Sequence, residues 1–199
     1  MTDAIEVTPD GAFSDRMVSV DADSQGNTHF VWSRNTQHLY YKMLDPRGEV
    51  LIDDTKISNA GAHRAWHPDT RVDHNDMVHI TWTDKAGQWT IMYTLIDPSL
   101  DDQNGDQSTD SALTIINDFE VSSHPQNRDW PAIDVDSAND PHIVWQDSYE
   151  PLDKFYQQPQ IYYAMLDPDV TSRTVEFAVG ETLLLSLIHI SEPTRPIAI

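Results

Sequence analysis

Two stretches of this chain hold the residue types from which a binding site is most readily made. The first follows Asp97 and reads Pro-Ser-Leu-Asp101-Asp102-Gln-Asn104-Gly-Asp106-Gln-Ser-Thr-Asp110. Closely spaced carboxylate and amide oxygens around a glycine suit Ca²⁺, which takes about six to eight oxygen ligands from pliable loops. Asp101, Asp102, Asn104 and Asp106 are the expected ligands, with a solvated acidic loop as the alternative. They do not follow the EF-hand pattern, which closes on a glutamate. The turn Asp21-x-Asp23-x-x-x-Asn27 is a second oxygen cluster, although its Asp23 also has a turn to close. The second stretch, Asp147 to Gln160, places Tyr149, Phe155 and Tyr156 among amides. Such side chains stack on and hydrogen-bond to sugars or peptides; the alternative is a long loop pinned by its own aromatics. His63 and His67 stand four apart, as a metal pair on a helix would, but they precede Pro68 in a stretch that reads as loop, so no metal is assigned to them.

These stretches interrupt a repeat. Asp23, His29, Trp32 and Tyr41 recur as Asp73, His79, Trp82 and Tyr93, and again as Asp136, His142, Trp145 and Tyr163. In each copy the Asp lies six residues before the His, the His three before the Trp, and an Asp-Pro pair begins four after the Tyr. A residue needed for catalysis is normally needed once, so recurrence at one place in three units points to packing and turn formation. The Trp is expected between sheets, the His on a neighbouring backbone group or on the turn Asp, and the Asp in an Asx-type turn. A period of about 50 to 60 residues holding several short strands is the mark of stacked β-sheet units such as propeller blades.

The strands expected in the first unit are 17–23, 28–34, 38–44 and 50–58; in the second 69–73, 78–83, 90–96 and 112–122; in the third 132–136, 142–146 and 160–166, with a further one at 173–179. Alternation sets Phe30 and Trp32 on one face and His29 and Val31 on the other, so both faces are substantially apolar and need neighbours on both sides. Helical periodicity is nowhere sustained. The fold expected is therefore all-β: an incomplete β-propeller of about three four-stranded antiparallel blades over 1–180, with units near 9–58, 59–122 and 123–180 and a tail at 181–199.

The pattern Asp-x-x-Gly-Asn-x-His-x-x-Trp followed by Tyr-Tyr and Leu-Asp resembles blades of bacterial and archaeal exported β-propellers, loosely similar to the sialidase-like repeat group, over residues 14 to about 170. The likeness implies export and a binding face made of loops. It carries no active site across: Asp21 to Trp32 lacks the Asp-box spacing, and nothing in the sequence gathers Arg16, Arg64, Arg71 and Arg128 into the arginine cluster that sialidases use. Residues Leu185 to Arg195 resemble a translated transposase-end adapter, so the native sequence is expected to stop near Leu184, and Met1 to be an internal start.

Composition is strongly acidic and leaves the compartment open. With 33 acidic against 12 basic residues the net charge is −21, a surface that repels nucleic acid and anionic membranes. There is no cysteine, no basic-apolar leader and no apolar run long enough to span a bilayer. The expected role is a non-enzymatic extracellular, cell-surface or periplasmic binding or scaffold module that meets glycan or protein through its loops. The alternatives are part of a sialidase-like glycoside hydrolase, and a purely structural surface protein. Three blades leave two sheet faces bare, so further blades or self-association are the expected partners.

Overall fold

The computed structural model describes residues 4–8, 11, 13–59, 64–100, 113–122, 127–148, 160–166, 175–179 and 182–184. Among the described residues thirteen strands form three antiparallel sheets. The first sheet runs in order β1 (Asp15–Ala22), β2 (Thr28–Arg34), β3 (His38–Leu44), β4 (Val50–Lys56). The second is β5 (Ala65–Val72), β6 (Val78–Asp84), β7 (Thr90–Ile96), β8 (Thr114–Glu120). The third joins β9 (Asn127–Val135), β10 (Pro141–Ser148), β11 (Gln160–Leu166), β12 (Val175–Val179) and β13 (Thr182–Leu184). One 3₁₀ turn, Pro98–Leu100, is the helical element among the described residues. Each sheet is a meander of sequential strands. The first strands β1, β5 and β9 adjoin one another, as the strands nearest the axis of a propeller do. The architecture is that of an incomplete β-propeller.

The sheets are held face to face by the residues that the repeat fixes. Val31, Leu39 and Tyr41 of the first blade enclose one core with Ala65, Ile80 and Trp82 of the second. Ile91, Tyr93 and Leu95 do the same with Ile133, Ile143 and Trp145 of the third. Trp32, Trp82 and Trp145 are buried at the same register in their sheets. Polar bonds cross the same seams. Ser19 Oγ donates to Asp69 Oδ1 at 3.0 Å, and the amide of Ile133 donates to Asp69 Oδ2 at 3.0 Å, so one carboxylate in the middle blade ties all three together. In the turns, the amide of Ser24 donates to Asp76 and that of His74 to Asn139, from each blade to the next.

All three first strands begin earlier than the residue pattern predicts, two of them across a proline. The expected starts at 69 and 132 each follow a proline, which cannot donate to a ladder and interrupts central strands. Instead β5 runs through Pro68 and β9 through Pro131, and the register slips between Trp66 and Asp69 and opposite Val144 to Gln146. A β-bulge absorbs the mismatch. The same slip lies in β1 between Arg16 and Ser19. At the three equivalent positions Met17, His67 and Trp130 adopt φ of 55°, 48° and 59°. Left-handed backbone is costly for a side-chain-bearing residue, and residues before proline are normally extended, so this kink is held in place by its surroundings.

Candidate functional site

The repeated polar residues form one network three times over. His29 Nδ1 lies 2.8 Å from Tyr41 Oη, and its Nε2 faces Asp23 Oδ2 at 3.4 Å. His79 stands likewise between Tyr93 (2.8 Å) and Asp73 (3.3 Å), and His142 between Tyr163 (2.7 Å) and Asp136 (3.4 Å). A carboxylate only accepts, so the proton sits on Nε2 and the tyrosine hydroxyl donates to Nδ1. The Asp also accepts turn amides: Gln25 and Asn27, Asn75 and Met77, Ala138 and Asp140. Burial pushes His29 and His79 below their ordinary value, although the facing Asp opposes it. Burial also pushes the Tyr93 hydroxyl far above the usual tyrosine range. In the first two blades this buried neutral link fixes turn and strands to one another and offers no group to a substrate.

A second cross-strand position shows what the repeat does not fix. Asp15 pairs with Arg34 across the first blade, with Nε to Oδ1 at 2.8 Å, while Arg128 and Asp147 occupy the same places in the third with the charges exchanged, at 3.4 Å. The second blade has Ala65 opposite Asp84. Arg34 also reaches Asp54 and lies over Tyr40 and Phe13, so this end of the first blade is a closed charged patch.

One cluster belongs to no repeat, and the bulges build it. The three kinks lie in a row: the His67 amide points at Met17 Sδ (3.4 Å), and the His67 ring packs at 5.1 Å against the Trp130 ring. Asp129, just before the third kink, accepts from His67 Nδ1 (2.8 Å), Thr83 Oγ1 (3.1 Å), Lys85 Nζ and the Trp130 indole Nε1 (2.9 Å). Burial works against its ionisation, but hydrogen bonds from Lys85 and His67 outweigh that and hold the carboxyl below the usual range. Lys85 in turn lies over the rings of Trp66 (4.6 Å) and Trp89 (3.8 Å), close enough for cation–π attraction. Trp130 itself is 66% exposed. The result is an aromatic patch, rigidly braced from beneath by one anion, at the end of the sheets where β5 and β9 begin and β6 ends.

Of this cluster, sequence reasoning had weighed only His67, as half of a metal pair. The structure puts it on a strand, bonded to Asp129 and beside Trp130. The overlooked signal lies in two of the three blades: His67-Pro68 and Trp130-Pro131 set a ring directly before proline at equivalent positions, where the first blade has Met17-Val18. The expected calcium ligands Asp101, Asp102, Asn104 and Asp106, the expected ligand-binding Tyr149, Phe155 and Tyr156, His63, and the adapter-like Leu185 to Arg195 all lie outside the described residues. Among the described residues no group of three or more His, Asp or Glu side chains is set to hold a metal, and no helix is long and apolar enough to cross a membrane.

The fold is one that a solved structure shares. A thermostable family-43 glycoside hydrolase superposes with a TM-score of 0.54 over 93% of this chain at 12% identity. An endo-arabinase from Bacteroides thetaiotaomicron is also similar, with a TM-score of 0.47 over 78% of the chain at 12% identity. The chain spans 55% of the first of these structures and 57% of the second. At such identity the likeness is one of β-propeller fold. No family model matches the sequence. No curated protein matches it either.

Proposed function

We propose that this chain is a non-enzymatic recognition module of an exported propeller with sialidase-like repeats, and that the Trp130 patch binds glycan. The observation that carries the reading is the state of Trp130: its ring is exposed while its indole N–H is already committed to Asp129. Such a ring offers a fixed apolar platform with little rotamer entropy to lose on binding. His67 and the half-buried Trp66 and Trp89 extend the platform, and Lys85 is neutralised by Asp129, so the patch suits the uncharged face of a sugar ring. Binding is favoured over cleavage by three carboxylates of the first strands. Asp21, Asp69 and Asp129 each have both oxygens accepting from protein donors, which commits them to the scaffold.

The test is titration of the full chain with neutral oligosaccharides, followed by tryptophan fluorescence and calorimetry. Binding is expected, and Trp130→Ala should weaken it at least about tenfold, the scale of one lost anchor residue. Silence across the glycans, or binding indifferent to Trp130→Ala, overturns the reading. Release of new reducing ends would assign the hydrolase alternative instead.

A further inference from the structure

Histidines that face an aspartate do so here in two ways. In the repeated networks both ring nitrogens are spent, Nδ1 on a tyrosine hydroxyl and Nε2 on the turn Asp. His67 is turned round. Its Nδ1 meets Asp129 Oδ1 at 2.8 Å, and its Nε2 has no partner among the described residues and reaches solvent from a side chain that is 28% exposed. A carboxylate only accepts, so Nδ1 carries the proton and, in the uncharged ring, Nε2 presents a lone pair. The patch therefore opens an acceptor to its surroundings, while the ammonium of Lys85 and the indole N–H of Trp130 are already bonded to Asp129.

The orientation is enforced. The His67 ring is wedged between Trp66 at 5.7 Å and Trp130 at 5.1 Å, and a φ of 48° directly before Pro68 holds it there at a backbone cost. An acceptor held at the margin of an exposed indole meets the rim of whatever lies on that indole, and the rim of a sugar ring is made of hydroxyls. Building on the glycan reading, we infer that His67 determines which sugars the patch accepts: Nε2 takes a hydrogen bond from a hydroxyl of the ring stacked on Trp130. The ligand class is thereby narrowed to neutral sugars whose stacked residue carries an unblocked hydroxyl. Glycans with every hydroxyl alkylated fit the platform but leave Nε2 unpaired, which costs affinity.

Calorimetric titration of the full chain at about pH 8, where imidazole is uncharged, tests this with cellohexaose, mannohexaose and galactohexaose, each native and fully O-methylated. The wild type should bind a native form about fivefold tighter than its methylated counterpart, the scale of one hydrogen bond. His67→Asn keeps a donor near the Nδ1 position and tolerates positive φ, but has nothing at Nε2. It should melt as the wild type does and lose that preference. His67→Gln, whose amide extends to the Nε2 position, should keep it. A wild type that binds both forms equally overturns the inference without recourse to a variant, as does a preference that His67→Asn retains. So long as Trp130→Ala still weakens binding, the glycan reading survives either result. Binding by none of the sugars, or binding indifferent to Trp130→Ala, removes that reading and this inference with it.

Discussion

The two ends of each sheet obey different rules. At the β1–β2, β5–β6 and β9–β10 turns, Asp, His and Tyr recur with nearly the same distances, and the networks of the first two blades are buried. At the other end, the equivalent first-strand kinks carry Met17, His67 and Trp130, three unrelated side chains on one backbone geometry. Repetition of residue marks the scaffold. Repetition of backbone with divergence of residue marks where the molecule varies what it presents. The kink is strained, and a strained position kept in three blades while its side chain changes is the arrangement by which a fixed frame displays different groups.

The largest effect that separates the two ends should come from the indoles. Trp82 is fully buried between blades, so Trp82→Ala should cost about 3–5 kcal/mol, from lost transfer free energy and the cavity left behind. Trp130→Ala, in the open patch, should cost about 1 kcal/mol, the scale of its one indole bond to Asp129, because little of its ring is covered. Urea denaturation of the two variants measures the contrast. Equal losses would mean that Trp130 is a structural residue and that the patch is not a surface at all.

Asp129 lies where the two regimes meet. It accepts from Thr83 of the second blade as the scaffold requires, and from His67, Lys85 and Trp130 as the patch requires. Asp129→Ala leaves the Lys85 ammonium, itself largely buried, without its anion, and should cost about 3 kcal/mol. In a Lys85→Met background the same substitution should cost markedly less, since the stranded charge is gone. Additive losses in that double-mutant cycle would show that the two side chains do not stabilise one another.

Legibility in the sequence follows the same division. The Asp, His, Trp and Tyr positions are spaced so regularly that strand order and facing side chains could be read from them, because alternation in a strand and a fixed turn length leave little freedom. The bulges could not. Pro68 and Pro131 carry the local signature of a strand end, and only the tertiary frame, with neighbouring first strands on each side, keeps the chain in the ladder through them. Asp129 was invisible for a different reason. Its partners come from residues 67, 83 and 85, on the preceding blade, and no spacing rule within one repeat relates them.

The smallest signal expected is a pH dependence confined to the scaffold. His29 and His79 titrate below the ordinary 6.5 because burial strips water from the cation, an effect that exceeds the attraction of Asp23 and Asp73. Just below that value the unfolded chain therefore binds more protons than the folded one. The stability these two residues confer as neutral groups is complete above about pH 6.5 and declines as pH falls from there toward their folded values. Asp129 acts lower down: its depressed carboxyl contributes stability above the ordinary 3.8 and loses it as pH falls further. A net charge of −21 pulls the opposite way, because protonation elsewhere relieves repulsion, so the wild-type profile alone does not isolate the histidines. The difference between wild type and His79→Gln does. Melting temperatures of the two proteins should converge between about pH 7 and pH 5, as the wild type loses what the variant never had. Profiles that stay parallel would show that His79 is protonated equally in both states, and the account of it as a buried neutral link would have to be abandoned.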